Sequence, residues 1–333
     1  GSITGEHCVG VEKRKFMAKM YDSTELSAMY DVKQVFDPAN RLNPGKVLPE
    51  SVQPAVRVPA RMPDESVWTP GDADEAAAGL RACTEASRVV AISHAEFAGD
   101  AALRLSTAAL QGVRVFAPED LFITVGAGMT VAEVQSILAE RGLQAAAAEP
   151  WPGATVGGLI AANINGPERM RYGGLRDNLL CATVALADGR VIRAGRPLVK
   201  NVAGYDLPKV FVGSWVTLGL LTDVTLKLTP LPRVRRTLVA PVADLATGLS
   251  LAGVARAQAL VAAGIVLVCA AEVPGLADDG LALLYTAEGV AEDVDEELDG
   301  VTAALRRAGA SLVVETAWSA SMAWQRFLRE QSR

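Results

Sequence analysis

Between residues 152 and 158 the chain reads Pro152-Gly153-Ala154-Thr155-Val156-Gly157-Gly158, and this small-residue run limits the fold more than any other stretch. Glycines among small side chains let a backbone approach a bulky neighbour closely, because no Cβ intervenes and unusual φ values cost little. The run therefore announces either a bound nucleotide or a tightly packed strand-turn-helix elbow. The dinucleotide fingerprint and the Walker pattern are both missing from the sequence. The choice rests on the neighbouring motifs: Ala161-Ala162-Asn163, then Arg171-Tyr172-Gly173-Gly174-Leu175-Arg176-Asp177, then Lys200-Asn201-Val202-Ala203-Gly204-Tyr205-Asp206. Gly213-Ser214 and Thr217-Leu218-Gly219-Leu220-Leu221-Thr222 complete the series.

Around these motifs the periodicities predict an α+β chain. Phe16, Met20, Leu26, Met29, Val32 and Phe36 recur at helical spacing before the breakers Asp37-Pro38 and Asn43-Pro44-Gly45. Residues 50–63 carry Pro54, Pro59 and Pro63 with little periodicity and read as a linker. A helix is expected over 72–86, a strand over 88–92 and another over 120–128. Thr130-Val131-Ala132-Glu133 then opens a helix that Gly142 closes. Strands over 179–186 and 191–194 flank Asp188-Gly189, a type I′ hairpin signal. Alternation of Val224, Leu226 and Leu228 with polar neighbours marks a strand with one buried face. Beyond Pro230-Leu231-Pro232, strands over 235–240, 260–272, 280–287 and 312–315 with a helix over 292–308 predict a cap of antiparallel strands and helices.

Composition excludes several function classes. The net charge of −6, from 32 Lys+Arg against 38 Asp+Glu, without a basic block, excludes a nucleic-acid binder. With 5% aromatic residues, packing must rest on Ala, Val and Leu. The most apolar run, 257–271, holds Gln258 and Gly264 and is too short to cross a bilayer, so it is read as a buried strand preceded by a helix. Cys8, Cys83, Cys181 and Cys269 lie far apart without paired spacing, which argues against an iron–sulfur cluster or a structural metal and suits a reducing cytoplasm.

From about Trp68 onward, the order of these motifs resembles the FAD-binding subunits of bacterial glycolate oxidases, in the vanillyl-alcohol-oxidase-type (PCMH-type) flavoprotein superfamily; Trp324-Gln325-Arg326-Phe327-Leu328-Arg329-Glu330-Gln331 resembles the motif opening that family's final segment. Gly1-Ser2-Ile3-Thr4-Gly5-Glu6-His7, Phe36-Asp37-Pro38 and Leu42-Asn43-Pro44-Gly45-Lys46 resemble the carboxyl end of the catalytic, FAD-linked subunit of the same enzymes. The chain thus reads as the tail of one subunit joined to most of another. The expected partition is tail 1–49, linker 50–65, a PCMH-type FAD-binding domain of two α+β subdomains over 66–231 and a partial α+β cap over 232–333.

The resemblance implies non-covalent FAD, since no His or Cys stands near 171–177 to attach it. A flavin dinucleotide needs backbone donors and small residues along its phosphates and ring system. The implied cofactor wall is Gly153, Ala154, Thr155, Val156, Gly157, Gly158, Ala161, Asn163, Gly166, Arg176, Asp177, Gly219 and Leu221. Arg176 and Asp177 have the alternative of a surface ion pair, and Gly219 and Leu221 that of a hairpin turn. Trp215-Val216 stands where the family has a small residue and a glycine. Where relatives carry a first glycine-rich phosphate loop, this chain has Ala91-Ile92-Ser93-His94-Ala95-Glu96-Phe97-Ala98-Gly99-Asp100, whose bulk and negative charge suit phosphate poorly. His94 reads as a solvated loop residue rather than a ligand.

By resemblance His7 is the catalytic residue, an imidazole suited to taking the hydroxyl proton of a 2-hydroxy acid as hydride leaves for the flavin. The histidine-rich metal motif that accompanies it in relatives is missing, and Cys8 replaces a glycine, so no metal is assigned. The implied activity is oxidation of glycolate or a related 2-hydroxy acid in the cytoplasm, peripheral to the inner membrane through partners. Those partners are a catalytic FAD-linked subunit and an iron–sulfur subunit. Two alternatives stay open: a non-catalytic assembly scaffold that has lost tight FAD binding, and a fragment or fusion without stable function.

Overall fold

The computed structural model describes residues 9, 12–49, 52, 54–64, 66–93, 103–197, 204–269, 273, 280–311, 313–316 and 318–331. The expectations for His7, Cys8, His94, the loop 94–100 and the 200–203 half of the Lys200–Asp206 motif lie outside these residues. Two compact units result. The first comprises 1–130, 155–163 and 179–228, and the second 131–154, 164–178 and 229–333. This differs from a partition into consecutive stretches: the tail belongs with the first unit, and 131–154 and 164–178 belong with the second.

In the first unit, the antiparallel strands Val113–Ala117, Phe122–Gly126, Leu220–Pro230, Leu179–Ala185 and Val191–Gly195 lie side by side in that order. A smaller parallel sheet joins Val67–Trp68, Arg104–Ser106 and Ala91–Ser93. Helix Ala73–Glu85 begins where expected because Asp72 accepts the Glu75 N–H at 2.8 Å, satisfying one of the four orphan donors at the helix start. Its alanines Ala76 and Ala77 pack on Leu105, Leu110, Ala185 and Leu220. Gly79 lets Trp68 lie against the helix, since a Cβ there would stand 2.2 Å from the indole.

The hairpin over 186–190 forms, but not as type I′. Only Gly189 has positive φ (86°), and the Leu186 carbonyl accepts the Gly189 N–H at 3.1 Å. The turn is therefore a type I turn followed by a left-handed glycine. Asp188 is held by accepting the Arg190 N–H at 3.1 Å and Nε–H at 2.7 Å, which leaves the glycine alone to take the left-handed residue.

Within the tail, helix Ser23–Phe36 stops at Asp37 as the breakers predict. Buried Asp37 accepts the backbone N–H groups of Arg41 and Leu42, each at 2.8 Å, and pairs with Lys33. The Lys33 hydrogen bond, then these backbone donors, hold its carboxyl down at about 2 from the ordinary 3.8. A lowered pKa contributes stability that is complete above the unfolded value and lost as pH falls through the folded one. The turn over 37–42 should thus hold to about pH 4 and loosen between about 4 and 2. Asp37→Asn should raise amide exchange at Arg41 and Leu42 already at neutral pH.

The antiparallel strands and helices expected beyond Pro232 lie in the second unit. Strands Ala262–Cys269, Leu281–Gly289, Val234–Val242 and Val314–Thr316 form one antiparallel sheet in that order. Alternation along the central strand sends Leu283, Tyr285 and Ala287 into the cluster that includes Leu251 of helix Leu245–Arg256 and Leu298 of helix Ala291–Arg307. Ala282 and Leu284 go to the opposite face with Ala323 of helix Ala320–Gln331. Both faces of the sheet are covered.

Candidate functional site

The implied cofactor wall is divided between the two units. Thr155, Val156, Gly157, Gly158, Ala161, Asn163, Gly219 and Leu221 belong to the first; Gly153, Ala154, Gly166, Arg176 and Asp177 belong to the second.

In the first unit, Thr155 caps helix Val156–Ala162 by accepting the Gly158 N–H at 3.1 Å. The Val156 N–H donates to Met129 O at 2.9 Å and the Gly157 N–H to Ala127 O at 2.8 Å. All three donors that would meet a phosphate at this helix start are engaged inside the protein. The glycines also do different work. A Cβ on buried Gly157 would stand 2.7 Å from the Ala127 Cβ and 2.8 Å from its carbonyl oxygen, so this glycine lets helix and strand end approach. On exposed Gly158 a Cβ would meet only the Thr155 hydroxyl, at 2.9 Å. Ala161 and Leu221 are buried, and Gly219 lies so close to Val184 that a Cβ would come within 2.7 Å of its Cγ1. These three are packing residues.

The helix ends at Asn163 in the left-handed conformation (φ 54°), and the loop 213–215 covers its last turn: the Gly213 N–H donates to Ile160 O at 3.0 Å and the Trp215 N–H to Ala161 O at 2.8 Å. Gly158, Asn163 and Gly213 are exposed, and Trp215 is 71% exposed. Trp215 (φ 52°) and Val216 (φ 60°) are both left-handed, which costs an L-residue about 1–2 kcal/mol and is worst for a β-branched side chain. Val216→Gly is expected to relieve that strain, less about 0.5–1 kcal/mol for glycine's freedom in the unfolded chain. The Val216 side chain also packs against the cluster of Ala76, Leu105 and Leu110, so its loss offsets the relief, and a thermal midpoint within a few degrees of the parent is the expected result.

In the second unit, Gly153 takes φ 80° in an open turn and donates its N–H to Glu149 Oε1 at 3.1 Å. Ala154 donates to Trp151 O at 3.1 Å and accepts from Val131 at 2.9 Å. At Gly166 a Cβ would stand 2.9 Å from the Ala148 Cβ. Asp177 accepts the Gly174 N–H at 2.8 Å and shapes the Gly173-Gly174 turn, while exposed Arg176 does not pair with it. The ion-pair alternative for these two residues is corrected on that geometry: the carboxylate serves the backbone.

Sequence reasoning missed one group. Glu168, Tyr172 and Arg235 line a cavity of about 270 Å³ together with Gln144. Behind them Glu288 is fully buried and paired with Arg235 Nε. Burial, then the neighbouring Glu288 carboxylate, pushes the Tyr172 phenol up to about 12, and burial raises the Glu168 carboxyl. Gln144 Nε2, Glu168 Oε2 and Glu288 Oε1 are buried without a hydrogen-bond partner among the described residues. Such a group can hold a small polar molecule, because unpaired buried polar atoms cost about 1–3 kcal/mol each until satisfied. The signal available in the sequence was Glu288, a carboxylate at the end of an apolar strand. Among the described residues no cluster of three His, Cys, Asp or Glu could hold a metal, and no helix is long and apolar enough to cross a membrane.

A small-residue helix start beside an antiparallel sheet, with an α+β cap, is the architecture of PCMH-type flavoproteins, and the comparisons agree. Residues 65–195 match the model of an FAD binding domain and residues 1–47 that of the C-terminal domain of FAD linked oxidases, so the chain carries segments of FAD-linked oxidases and its cofactor is FAD. Among curated relatives it is 35% identical to the glycolate oxidase subunit GlcE of Escherichia coli over 37% of this chain and 36% of that protein. It is 46% identical to the glycolate oxidase subunit GlcD of Bacillus subtilis over 26% of the chain and 18% of that protein. With the mitochondrial D-lactate dehydrogenase [cytochrome] of Arabidopsis thaliana it shares 36% identity over 37% of the chain and 22% of that protein. The matches therefore span about a fifth to a third of these relatives. Alkyldihydroxyacetonephosphate synthase shares the fold at TM-score 0.64 and 16% identity, over 78% of this chain and 53% of that one. P-cresol methylhydroxylase does so at TM-score 0.61 and 17% identity, over 75% and 57%.

The described residues fit FAD as a surface more than as an anion cradle. Gly158, Asn163 and Gly213 leave exposed backbone free of bulk, yet the first-turn donors of helix Val156–Ala162 are already taken.

Proposed function

We propose that this chain is the FAD-binding subunit of a complex that oxidises glycolate or a related 2-hydroxy acid. The carrying observation is the FAD binding domain matched over 65–195, with glycolate oxidase subunits among the relatives. Bound FAD supplies a hydride acceptor. The chain's own part is to hold it non-covalently along Gly158 and Asn163, with Thr155 and Gly157 fixing the helix start behind them. Gln144 and Glu168 offer unsatisfied polar atoms for a small acid, in the cavity they line with Tyr172 and Arg235. His7, on the segment matched to the C-terminal domain of FAD linked oxidases, takes the hydroxyl proton. A catalytic FAD-linked subunit and an iron–sulfur subunit complete the electron path, in the cytoplasm and peripheral to the inner membrane.

A second reading, an assembly scaffold without tight FAD binding, is favoured by one observation: the N–H groups of Val156, Gly157 and Gly158 donate to Met129, Ala127 and Thr155. The absorption spectrum of the purified chain separates the two. Flavin bands that bleach anaerobically with glycolate, once the partners are supplied, support the first reading. A monodisperse protein that stays colourless after incubation with excess FAD establishes the scaffold.

A further inference from the structure

Arg235 and Glu288 stand opposite each other on neighbouring strands of the second unit, and the Arg235 Nε–H donates to Glu288. Alternation along strand Leu281–Gly289 puts Glu288 on the side of Ala282 and Leu284. Helix Arg169–Tyr172, with Glu168 just before it, packs on strand Ala262–Cys269 of the same sheet. Gln144, on strand Leu143–Ala145, and Glu149 line the cavity together with Glu168, Tyr172 and Arg235. All of these residues belong to the second unit. The volume of about 270 Å³ far exceeds the roughly 30 Å³ that one water takes up in the liquid, so a molecule of several heavy atoms has room.

The charges around Glu168 are lopsided. Glu149, Glu168 and Glu288 bring three carboxylates, against one guanidinium, that of Arg235, which Glu288 already engages. Side chains that reach the cavity from helices Val131–Ala139 and Ala320–Gln331 are uncharged, and the Tyr172 phenol, raised to about 12, stays neutral at physiological pH. A carboxylate that arrived alone would be repelled.

The unpaired atoms show what a ligand must bring. Among the described residues, Gln144 Nε2 is a donor without an acceptor and Glu168 Oε2 an acceptor without a donor. A carboxyl group that carries its proton offers one acceptor and one donor, and so answers both. Protonation of Glu168 meets the same need, because a carboxylate then accepts from Glu168 and Gln144 alike. Burial already raises the Glu168 carboxyl, so it takes a proton more readily than a solvated glutamate.

We propose that this cavity takes up a small organic acid together with one proton, which Glu168 shares with the acid's carboxyl while Gln144 donates to its second oxygen. Glu168 is then the residue that sets specificity, by demanding a carboxyl that can share a proton. The inference rests on the reading of this cavity as the acid's site and deepens it. It does not depend on FAD.

Calorimetric titration of the purified full chain with glycolate, from about pH 5 to about pH 9, tests it. Above the titration of free Glu168, affinity should fall up to about tenfold for each pH unit, and buffers of different ionisation heat should report uptake of about one proton per glycolate. Glycolamide, which carries both donor and acceptor without titrating, should change in affinity by less than about threefold over the same range. Glu168→Gln offers its donor at every pH, so glycolate should bind it with a flat profile and more tightly than the parent at the alkaline end. A merely structural Glu168 would leave the slope of that profile unmoved. Absence of glycolate binding to the parent at about 50 mM, a flat parent profile, or an equal slope in Glu168→Gln would each overturn the proposal. Proton uptake and the glycolamide comparison use the parent alone, so they decide even where the variant misfolds. The absorption spectrum of the same sample keeps the two readings apart. Flavin that bleaches with glycolate and the partners, without proton uptake on binding, overturns this inference and leaves the redox reading standing; proton uptake by a colourless protein supports it while the redox reading falls.

Discussion

Glu297→Leu is expected to destabilise the second unit by about 3–5 kcal/mol, the cost of stripping a shared acceptor from three donors at once. Glu297 is buried on helix Ala291–Arg307. Its Oε2 accepts the backbone N–H groups of Leu260 at 2.5 Å and Val261 at 2.6 Å, and its Oε1 accepts the Tyr285 hydroxyl at 2.8 Å. Tyr285 is among the largest fully buried side chains and sits in the middle of the cap sheet, where no water can replace the carboxylate. Leucine keeps the volume, so the loss reads the hydrogen bonds and not a cavity. Glu297→Gln, with one acceptor oxygen, can serve the tyrosine or the backbone pair but not both, and should fall about midway. Burial and the Glu297 acceptor also raise the Tyr285 phenol above its ordinary 10.0. In this sense the folded state holds a proton that the unfolded state releases above that value, so stability falls as pH rises beyond about 10. Urea titrations read by circular dichroism at pH 7 and above pH 10 measure both effects. A loss below about 1 kcal/mol at neutral pH would show that the carboxylate is dispensable.

Much of this architecture could be read from residue order, and the parts that could not share one physical reason. Helix Ala73–Glu85 was legible because Asp72 is a local signal whose partner is three residues away. The strands of the cap were legible because alternation reports two covered faces wherever they lie. A glycine, by contrast, reports that something comes close without saying what. At Gly157 and Gly219 the neighbour is the chain itself, Ala127 and Val184, whereas at Gly158 it is open surface. The Asp188-Gly189 hairpin shows the same limit, since one left-handed residue was foreseeable and the side-chain bonds that made it the only one were not. Long-range polar pairs were illegible altogether: Glu25 with Arg196 and Glu288 with Arg235 are 171 and 53 residues apart. Glu288 stood in the sequence as a charge at the end of an apolar run, which is a signal for a partner but not for its identity.

The two adjacent glycines at the start of helix Val156–Ala162 should separate packing from cofactor binding, because they face opposite ways. Gly157→Val is expected to cost about 3 kcal/mol or more, since the new side chain meets backbone and a methyl group that cannot rotate away. The atoms in its path are the Ala127 Cβ at 2.7 Å and carbonyl oxygen at 2.8 Å, and the same displacement breaks the Gly157 hydrogen bond to that oxygen. Flavin content and stability should fall together in this variant, so it says little about FAD by itself. Gly158→Leu changes only exposed surface and the Thr155 hydroxyl 2.9 Å away. The better helix former offsets most of the weakened cap, and stability should stay within about 1 kcal/mol of the parent. The leucine would nevertheless stand on the surface proposed for FAD. Flavin content measured by absorbance should then drop severalfold while the urea midpoint stays put. If Gly158→Leu retains its full flavin complement, FAD does not lie against this helix start, and the exposed glycine serves only the turn that Thr155 caps.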